Sequence, residues 1–274
     1  MAVVSLRPKY VFKAPVEADY LSPDSFAGKT LGEISKLPMW EGNKQRTIGE
    51  LFEIEGEPTA KPEEQSIHLH GDVSRVRRIG SGMSAGEIMV FGDAGLHTGE
   101  EMKGGKITVG GNADSWLGAM MKDGTIEVKG NAGDYVGAAY RGSVKGMRGG
   151  TIIIHGNAGN ELGCFMRKGL IKIYGSTAQF AGVHMRNGTI FITGSSSGRV
   201  GAEMTGGKVI VNGRLNEVLP TFLIDSLKPK VKVDGEEITG PFYMFIGDTV
   251  EEGEGKLYVS KAANPHLKFY EQFL

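Results

Sequence analysis

Two histidines, His68 and His70, are the first residues of the sequence whose type and spacing suggest chemistry. Residues two apart in a strand point to the same side, so both imidazoles would lie on one face. Imidazole is a common ligand of zinc and other transition metals, but such sites use at least three protein ligands. The other histidines occupy unrelated positions of the chain. We therefore interpret the pair as surface or coil-end histidines and predict no metal site.

Three further candidates for chemistry in the sequence are also better explained by structural roles. Asp72 and Asp93 could form a catalytic carboxylate pair, but each follows a strand-ending glycine, where small polar side chains favour turns. Cys164 is the single cysteine, which excludes an internal disulfide and an iron–sulfur cluster ligated by cysteines of this chain alone. Residues 80–83 resemble a nucleotide-binding loop only in their glycines, because no helix pattern follows them. The sequence thus predicts no catalytic residue and no cofactor on this chain.

Glycine is the abnormal component of the composition. The chain has 43 glycines in 274 residues, and 32 of them lie between residues 80 and 213. Between these glycines, branched aliphatic residues recur in pairs separated by one position, which is the period of one strand face. The seven pairs are Ile88/Val90, Ile107/Val109, Ile126/Val128, Ile152/Ile154, Ile171/Ile173, Ile190/Ile192 and Val209/Val211.

The glycine that ends each strand recurs in steps of 19 residues, with one step of 26. These glycines are Gly92, Gly111, Gly130, Gly156, Gly175, Gly194 and Gly213. A repeat with one short strand cannot bury its apolar face alone, so neighbouring repeats must stack as a solenoid. A repeat of 19 residues has no room for a long helix, and 19 is not a multiple of the six-residue period of left-handed hexapeptide helices.

We therefore predict an all-β fold, namely a right-handed parallel β-helix of seven coils with small capping segments at both ends. The predicted domains are an N-terminal capping and docking segment at residues 1–65, the β-helix at residues 66–213, and a C-terminal capping segment at residues 214–274. In the first segment, Thr30 with Glu33 and Thr47 with Glu50 match capping boxes, which predict two short helices. Both flanks would protect the open ends of the solenoid from aggregation through unpaired strand edges.

Stacking in register gives each repeat position a structural role. The aliphatic pairs form the core, and a column of methionines fills one corner of the coil. The residue after each strand-ending glycine is small and polar, and in register these residues form a hydrogen-bonded ladder along the axis. The ladder includes Asn112, Asn131 and Asn157.

The residue between each inward pair faces outward, and four of these seven residues are apolar. A monomer that exposed such a column to water would be unusual, so the column is covered either by a terminal segment of the chain or by a partner. A dense cluster of arginines lies nearby and is either solvated or a docking patch. The candidate partner interface therefore comprises Met89, Phe91, Ile153, Phe191 and Ile210, with Arg75, Arg77 and Arg78.

Charge and hydropathy exclude several functional classes. The chain has 31 lysines and arginines against 32 aspartates and glutamates, so its net charge of −1 gives no attraction to nucleic acid or an anionic membrane. No apolar run approaches the roughly 18 residues that a membrane span needs. Charged residues and a proline near the N-terminus occupy the place of a signal peptide's apolar region. We expect a cytoplasmic protein.

The repeat resembles a known superfamily. Seven coils of the form G-x-I-x-V-x-G-N-A with G-x-x-M corners are similar to the β-helical domain of the large subunit of glutamate synthase. The length and the flank around Lys29-Thr-Leu-Gly-Glu33 resemble the C subunit of formylmethanofuran dehydrogenase more closely.

This resemblance implies a function for the assembly rather than for the chain. In that family the complex reduces CO2 to formate and condenses it with methanofuran, the first step of methanogenesis from CO2. The molybdenum or tungsten pterin, the iron–sulfur clusters and the dinuclear metal site belong to other subunits, and the C subunit has no catalytic motif. The implied partners are the pterin-metal subunit and the amidohydrolase-like subunit, and the implied role is that of a scaffold.

Two alternatives remain open from the sequence. Similar chains occur in the bacterial formyltransferase/hydrolase complex, which lacks the redox centres. Right-handed β-helices also include stand-alone polysaccharide-active enzymes, which usually gather carboxylates or basic residues on one outer face and are secreted.

Overall fold

The computed structural model describes residues 1–274, and strands account for most of its regular structure. Its α-helices are single turns of four residues each. The predicted all-β class is therefore confirmed. The largest sheet has 13 strands and is mixed: the middle is parallel, and antiparallel pairs occur near both ends.

The N-terminal flank forms small elements that pack on the first coils. Both capping boxes are confirmed: the Glu33 carboxylate accepts a hydrogen bond from the Thr30 backbone N–H at 2.8 Å, and the Glu50 carboxylate accepts one from Thr47 at 2.7 Å. The elements are β1 (Ala2–Pro8), β2 (Val16–Glu17), α1 (Pro23–Phe26), α2 (Leu31–Ile34), β3 (Pro38–Glu41), β4 (Lys44–Thr47), α3 (Ile48–Leu51), β5 (Phe52–Gly56) and a 3-10 turn (Pro62–Glu64).

The repeat region supplies one main strand per repeat. The strands are β6 (Gln65–Leu69), β7 (Val76–Arg77), β8 (Glu87–Val90), β9 (Lys106–Val109), β10 (Thr125–Val128), β11 (Arg148–Ile154), β12 (Lys168–Ile173), β13 (Thr177–Gln179), β14 (Thr189–Ile192), β15 (Ser196–Gly198) and β16 (Lys208–Val211). Equivalent residues pair across neighbouring main strands, so that Ile107 lies opposite Ile88 and Ile126. The one longer step in the repeat does not break this register, because Ile152 still pairs with Ile126.

The predicted core is confirmed, since every aliphatic pair of the repeat is at most 1% exposed. The methionine column is buried beside it. Glycine is required where one coil meets the next: a Cβ on Gly105, whose φ is +78°, would lie 2.8 Å from Met83 Cε and 2.6 Å from the Gly86 carbonyl oxygen. The methionine of each coil thus packs into the space that the next glycine leaves open.

The parallel stack extends beyond residues 66–213 into both flanks. β1 pairs in parallel with β6, and the C-terminal strand β19 (Gly255–Ser260) pairs in parallel with β16. Between β16 and β19 the chain forms a long hairpin, called here the C-terminal arm, of β17 (Leu223–Val233) and β18 (Glu236–Gly247). Two 3-10 segments, Thr249–Glu251 and Pro265–Phe273, complete this end.

Candidate functional site

The two histidines of the first coil form an aromatic cluster. The rings of His68 and His70 are 6.3 Å apart, and His70 stacks on Phe91 with a centroid distance of 4.4 Å and an interplanar angle of 9°. Burial and, to a smaller extent, the neighbouring His70 lower the pKa of His68. The chain has no group of three or more histidine, cysteine, aspartate or glutamate side chains arranged to hold a metal ion.

The other chemical candidates have structural partners. Asp72 accepts hydrogen bonds from the Ser74 hydroxyl at 2.6 Å and from its backbone N–H at 3.1 Å, and these bonds lower the pKa of the Asp72 carboxyl. Asp93 accepts the Asn112 backbone N–H at 2.6 Å. Burial raises the pKa of the Cys164 thiol to about 12, so the thiolate, which is the reactive form, is scarce at neutral pH.

The predicted polar ladder is present. Each side-chain oxygen accepts a hydrogen bond from the backbone N–H of the next coil, from Asp93 through Asn112, Asn131, Asn157, Ser176 and Ser195 to Arg214. The N–H to oxygen distances range from 2.6 to 3.2 Å. The ladder ties successive repeats together.

A second ladder was missed from the sequence. It begins at Ser115 and continues through Asp134 and Asn160 to the backbone of Gln179, with distances of 2.6 to 3.2 Å. Its signal is the fourth residue after each strand-ending glycine, where these polar residues stand in register.

The C-terminal arm covers part of the outward-facing apolar column. Phe191 and Ile210 pack against Val231, Val233 and Phe242 of the arm, and Ile210 is fully buried. The ion pair between Lys172 and Asp234, with a distance of 3.1 Å, fastens the tip of the arm to the same face. Assigning Phe191 and Ile210 to a partner interface is therefore wrong, because the chain itself covers them.

The remainder of the predicted apolar column lies outside the arm. Met89 and Ile153 are half-buried, and Phe91 is 50% exposed. These three residues remain candidates for contact with another subunit.

The arginine cluster is largely compensated within the chain. Arg77 pairs with Glu17 at 3.0 Å. Arg78 pairs with Asp19 at 2.8 Å and with the buried Glu100 at 3.1 Å. Arg75 is exposed. For Arg77 and Arg78 the structure corrects the expectation of a docking patch, since both join the N-terminal flank to the first coils.

A column of basic residues, called here the basic stripe, was also missed from the sequence. Its members directly follow the buried methionines, and each backbone N–H donates to the methionine carbonyl oxygen of the preceding coil at 2.7 to 2.9 Å. The basic stripe consists of Lys103, Lys122, Arg148, Arg167 and Arg186. The signal was present in the sequence as a position of the repeat, but no two members lie close together along the chain.

One carboxylate faces the basic stripe at close range. Glu101 pairs with Lys122 at 2.9 Å. The hydrogen bond from Lys122 lowers the pKa of the Glu101 carboxyl, against a smaller effect of burial. The charges of Arg148 and Lys103 lower it further, so three members of the stripe act on the same point.

Beside the basic stripe runs an edge of stacked aromatic rings. The residue two positions before each corner glycine has a left-handed φ of 53° to 65°, a conformation that favours glycine or asparagine. Here it is often a large side chain: Trp116 stacks on Tyr135 at 4.3 Å. On the other side of the corner glycine, Phe165 stacks on His184, also at 4.3 Å and with an interplanar angle of 5°.

The geometry defines an all-β protein whose polar, basic and aromatic side chains form columns along the repeat, and a solved structure shares this fold class. The chain is similar to one in the formyltransferase/hydrolase complex from Methylorubrum extorquens, solved with methylofuran, with a TM-score of 0.83 and 29% sequence identity. The match covers 93% of this chain and 99% of that one.

The chain is also similar to curated relatives, over about a third of its length. The chain is 45% identical over 97 residues to the C subunit of the molybdenum-containing formylmethanofuran dehydrogenase 1 of Methanosarcina barkeri, which is 35% of this chain and 32% of the relative. It is 50% identical over 94 residues to the corresponding subunit of Methanothermobacter thermautotrophicus, and this match covers 34% of this chain and 23% of the relative. It is 43% identical over 99 residues to the C subunit of the tungsten-containing formylmethanofuran dehydrogenase 2 of Methanothermobacter wolfeii, and this match covers 36% of this chain and 37% of the relative.

The resemblance to the C subunit of formylmethanofuran dehydrogenase is therefore confirmed as a similarity. The matched part spans 23% to 37% of the length of these relatives. No family model matches the sequence. No helix of the structure has both the length and the apolar character needed to cross a membrane.

Proposed function

We propose that the chain is a non-catalytic scaffold subunit of a cytoplasmic formylmethanofuran dehydrogenase complex. The observation that carries this proposal is the 41–50% identity to curated chains that are all named as the C subunit of that enzyme. The complex would reduce CO2 and attach the resulting formyl group to methanofuran. The chain's own part would be to hold catalytic subunits in a fixed relation.

The repeat region suits this role as a right-handed parallel β-helix, which is the finer fold that we propose. In-register main strands, parallel bridges between the short second strands and two polar ladders support it. Such a stack resists bending because each coil is hydrogen-bonded to the next at many positions. A rigid rod with columns of like side chains offers long, straight surfaces to several partners at once.

The proposed chemistry belongs to partner subunits. Among the residues whose type suggested chemistry, Asp72 and Asp93 are hydrogen-bonded, His70 is stacked on Phe91 and Cys164 is buried. No three histidine, cysteine, aspartate or glutamate side chains form a metal-binding group. We propose that the pterin-bound molybdenum or tungsten, the iron–sulfur clusters and the dinuclear metal site lie in other subunits. The pterin-metal subunit and the amidohydrolase-like subunit are the proposed neighbours.

A second candidate is the corresponding subunit of a formyltransferase/hydrolase complex. The match to the Methylorubrum extorquens chain over 99% of its length favours it, since the curated dehydrogenase subunits match over a smaller part. The two candidates share the scaffold role and differ in the redox centres of their partners.

Purification of the native complex tests both. We expect the chain to copurify in a fixed ratio with identified catalytic subunits, and molybdenum or tungsten in the complex favours the dehydrogenase over the hydrolase. A monomer of 29.3 kDa without partners would contradict either assignment. Polysaccharide cleavage by the isolated chain would overturn the scaffold role itself.

A further inference from the structure

The basic stripe is a row of cationic side chains that the chain leaves largely uncompensated. Lys122 has an ion pair, with Glu101, whereas the other four members have no carboxylate within 4.0 Å. The Nε atoms of Arg148 and Arg167 are buried without a hydrogen-bond partner. These two atoms are enclosed by the fold, whereas Lys103 and Arg186 at the two ends of the stripe are exposed and can contact another molecule.

The stripe is straight because its backbone is part of the coil-to-coil hydrogen bonding. Neighbouring coils are about 4.8 Å apart, so five members span roughly 19 Å from the first Cα to the last. Like charges at this spacing repel one another, and the repulsion is only partly screened at physiological salt because the Debye length is about 8 Å. A row of anionic groups from another molecule would relieve it.

The surroundings extend the stripe into a broader surface. Phe165 and His184, which stack on each other, precede Arg167 and Arg186 by two residues and lie on the adjacent edge. Arg167 also donates to the Val144 carbonyl oxygen at 3.2 Å. This bond ties the loop at about residues 140–146, which makes one step of the repeat seven residues longer than the others, to the stripe. Aromatic and arginine side chains are the types enriched at protein interfaces.

We propose that the basic stripe, with the Phe165–His184 stack, is the docking surface for a carboxylate-rich segment of a neighbouring subunit. This inference rests on the proposed function, because it takes the partner to be another chain of the same complex. A protein segment fits better than a nucleic acid, because its carboxylates can lie opposite the stripe members without an ion pair and avoid the exposed Glu101 and Asp123, whereas a nucleic acid carries a phosphate at every nucleotide.

Charge reversal in the assembled complex tests the proposal. The variant Lys103→Glu/Arg186→Glu changes the two exposed ends of the stripe, and Lys232→Glu/Lys268→Glu makes the same net change at exposed lysines of the C-terminal capping segment that have no ion pair. We expect the stripe variant to bind the identified partners about 10- to 100-fold more weakly at low salt, with the difference shrinking at high salt. The control variant in the C-terminal capping segment should bind like the wild type.

Folding is checked separately, because charge reversal could also disturb the coil. Both double variants should keep the thermal midpoint of the wild type to within a few degrees. If the reversal variant fails to fold, Lys103→Gln/Arg186→Gln takes its place, and a smaller loss of affinity, about 3- to 10-fold, is expected of it.

Zero-length carbodiimide cross-linking of the native complex identifies the occupant. We expect Lys103 or Lys122 to be joined to aspartate or glutamate of a partner subunit. Partner binding by the stripe variant equal to the wild type would overturn the docking surface while leaving the proposed function intact. Loss of partners from the wild-type preparation on nuclease treatment would overturn the choice of a protein occupant. Absence of partners from the wild type at every salt concentration would instead count against the proposed function.

Discussion

The arginine cluster and the basic stripe are both basic, yet they differ in what faces them. Arg77 and Arg78 are held by Glu17, Asp19 and the buried Glu100, which come from other parts of the chain. In the stripe, Lys122 is paired with Glu101, and the other members have no carboxylate within 4.0 Å. A basic side chain that is ion-paired within the chain stabilises the fold, whereas a row of basic side chains without ion pairs is available to bind another molecule.

Removing Arg78 should have the largest effect on stability. Arg78→Met leaves Glu100, which is 6% exposed, without its arginine partner, and a buried carboxylate that loses its counter-charge is strongly disfavoured. We expect the free energy of unfolding, measured by urea denaturation, to fall by roughly 2 kcal/mol.

The matched change in the stripe is Arg148→Met, which keeps a long apolar side chain and removes an unpaired charge. It should alter the free energy of unfolding by less than about 0.5 kcal/mol. Equal losses in the two variants would erase the distinction between the two regions.

Double-mutant cycles should give a larger coupling free energy for the ion pair of the arginine cluster than for the ion pair of the basic stripe. The pair of Arg77 and Glu17 joins β7 to β2, and both side chains are 34% exposed. Combining Arg77→Met with Glu17→Gln, we expect a coupling free energy of about 0.5–1 kcal/mol. For Lys122 and Glu101, whose side chains are 35% and 48% exposed, we expect no more than about 0.5 kcal/mol. The opposite order would show that the stripe contributes more to the fold than its contacts indicate.

Contacts between neighbouring repeats could be predicted from the sequence, whereas contacts with segments outside the repeat could not. The core pairs and the Asn112–Asn131–Asn157 ladder were predicted because a repeat places like residues in contact through local backbone geometry alone. The coverage of Phe191 and Ile210 was not predictable in the same way, since the arm lies outside the repeat and folds back over coils that precede it in sequence.

The two basic regions were mispredicted from the sequence for different reasons. The compensation of Arg77 and Arg78 depends on acidic residues about 60 positions away, whose location only the tertiary fold determines. The basic stripe was readable as one position of the 19-residue repeat, but a search for contiguous charge overlooks it.

The ion pair of Glu101 gives the stripe a weak pH dependence. Lys122 lowers the pKa of Glu101 in the folded chain, so the pair stabilises the fold above the ordinary glutamate pKa of about 4.3, and this contribution fades as the pH falls through the lower folded value. Because the carboxylate is well solvated, we expect only a few tenths of a kcal/mol. Thermal midpoints of wild type and Lys122→Met should differ most near neutral pH and converge in acid; a constant difference would remove the ion pair as its cause.

The smallest expected effect is a gain in stability of the isolated chain, whereas the variants above lose stability or hardly change it. Lys103→Gln/Arg186→Gln relieves like-charge repulsion within the stripe, so the isolated chain should become more stable by about 0.2–0.4 kcal/mol at low salt. Lys13→Gln/Lys44→Gln makes the same change in net charge on the N-terminal flank and corrects for the general effect of a more negative chain. Urea denaturation at about 20 mM and 500 mM salt should show a gain for the stripe variant relative to this control only at the lower concentration, because salt screens the repulsion. A loss of stability at low salt would mean that the stripe is compensated within the chain after all, in the manner of the arginine cluster.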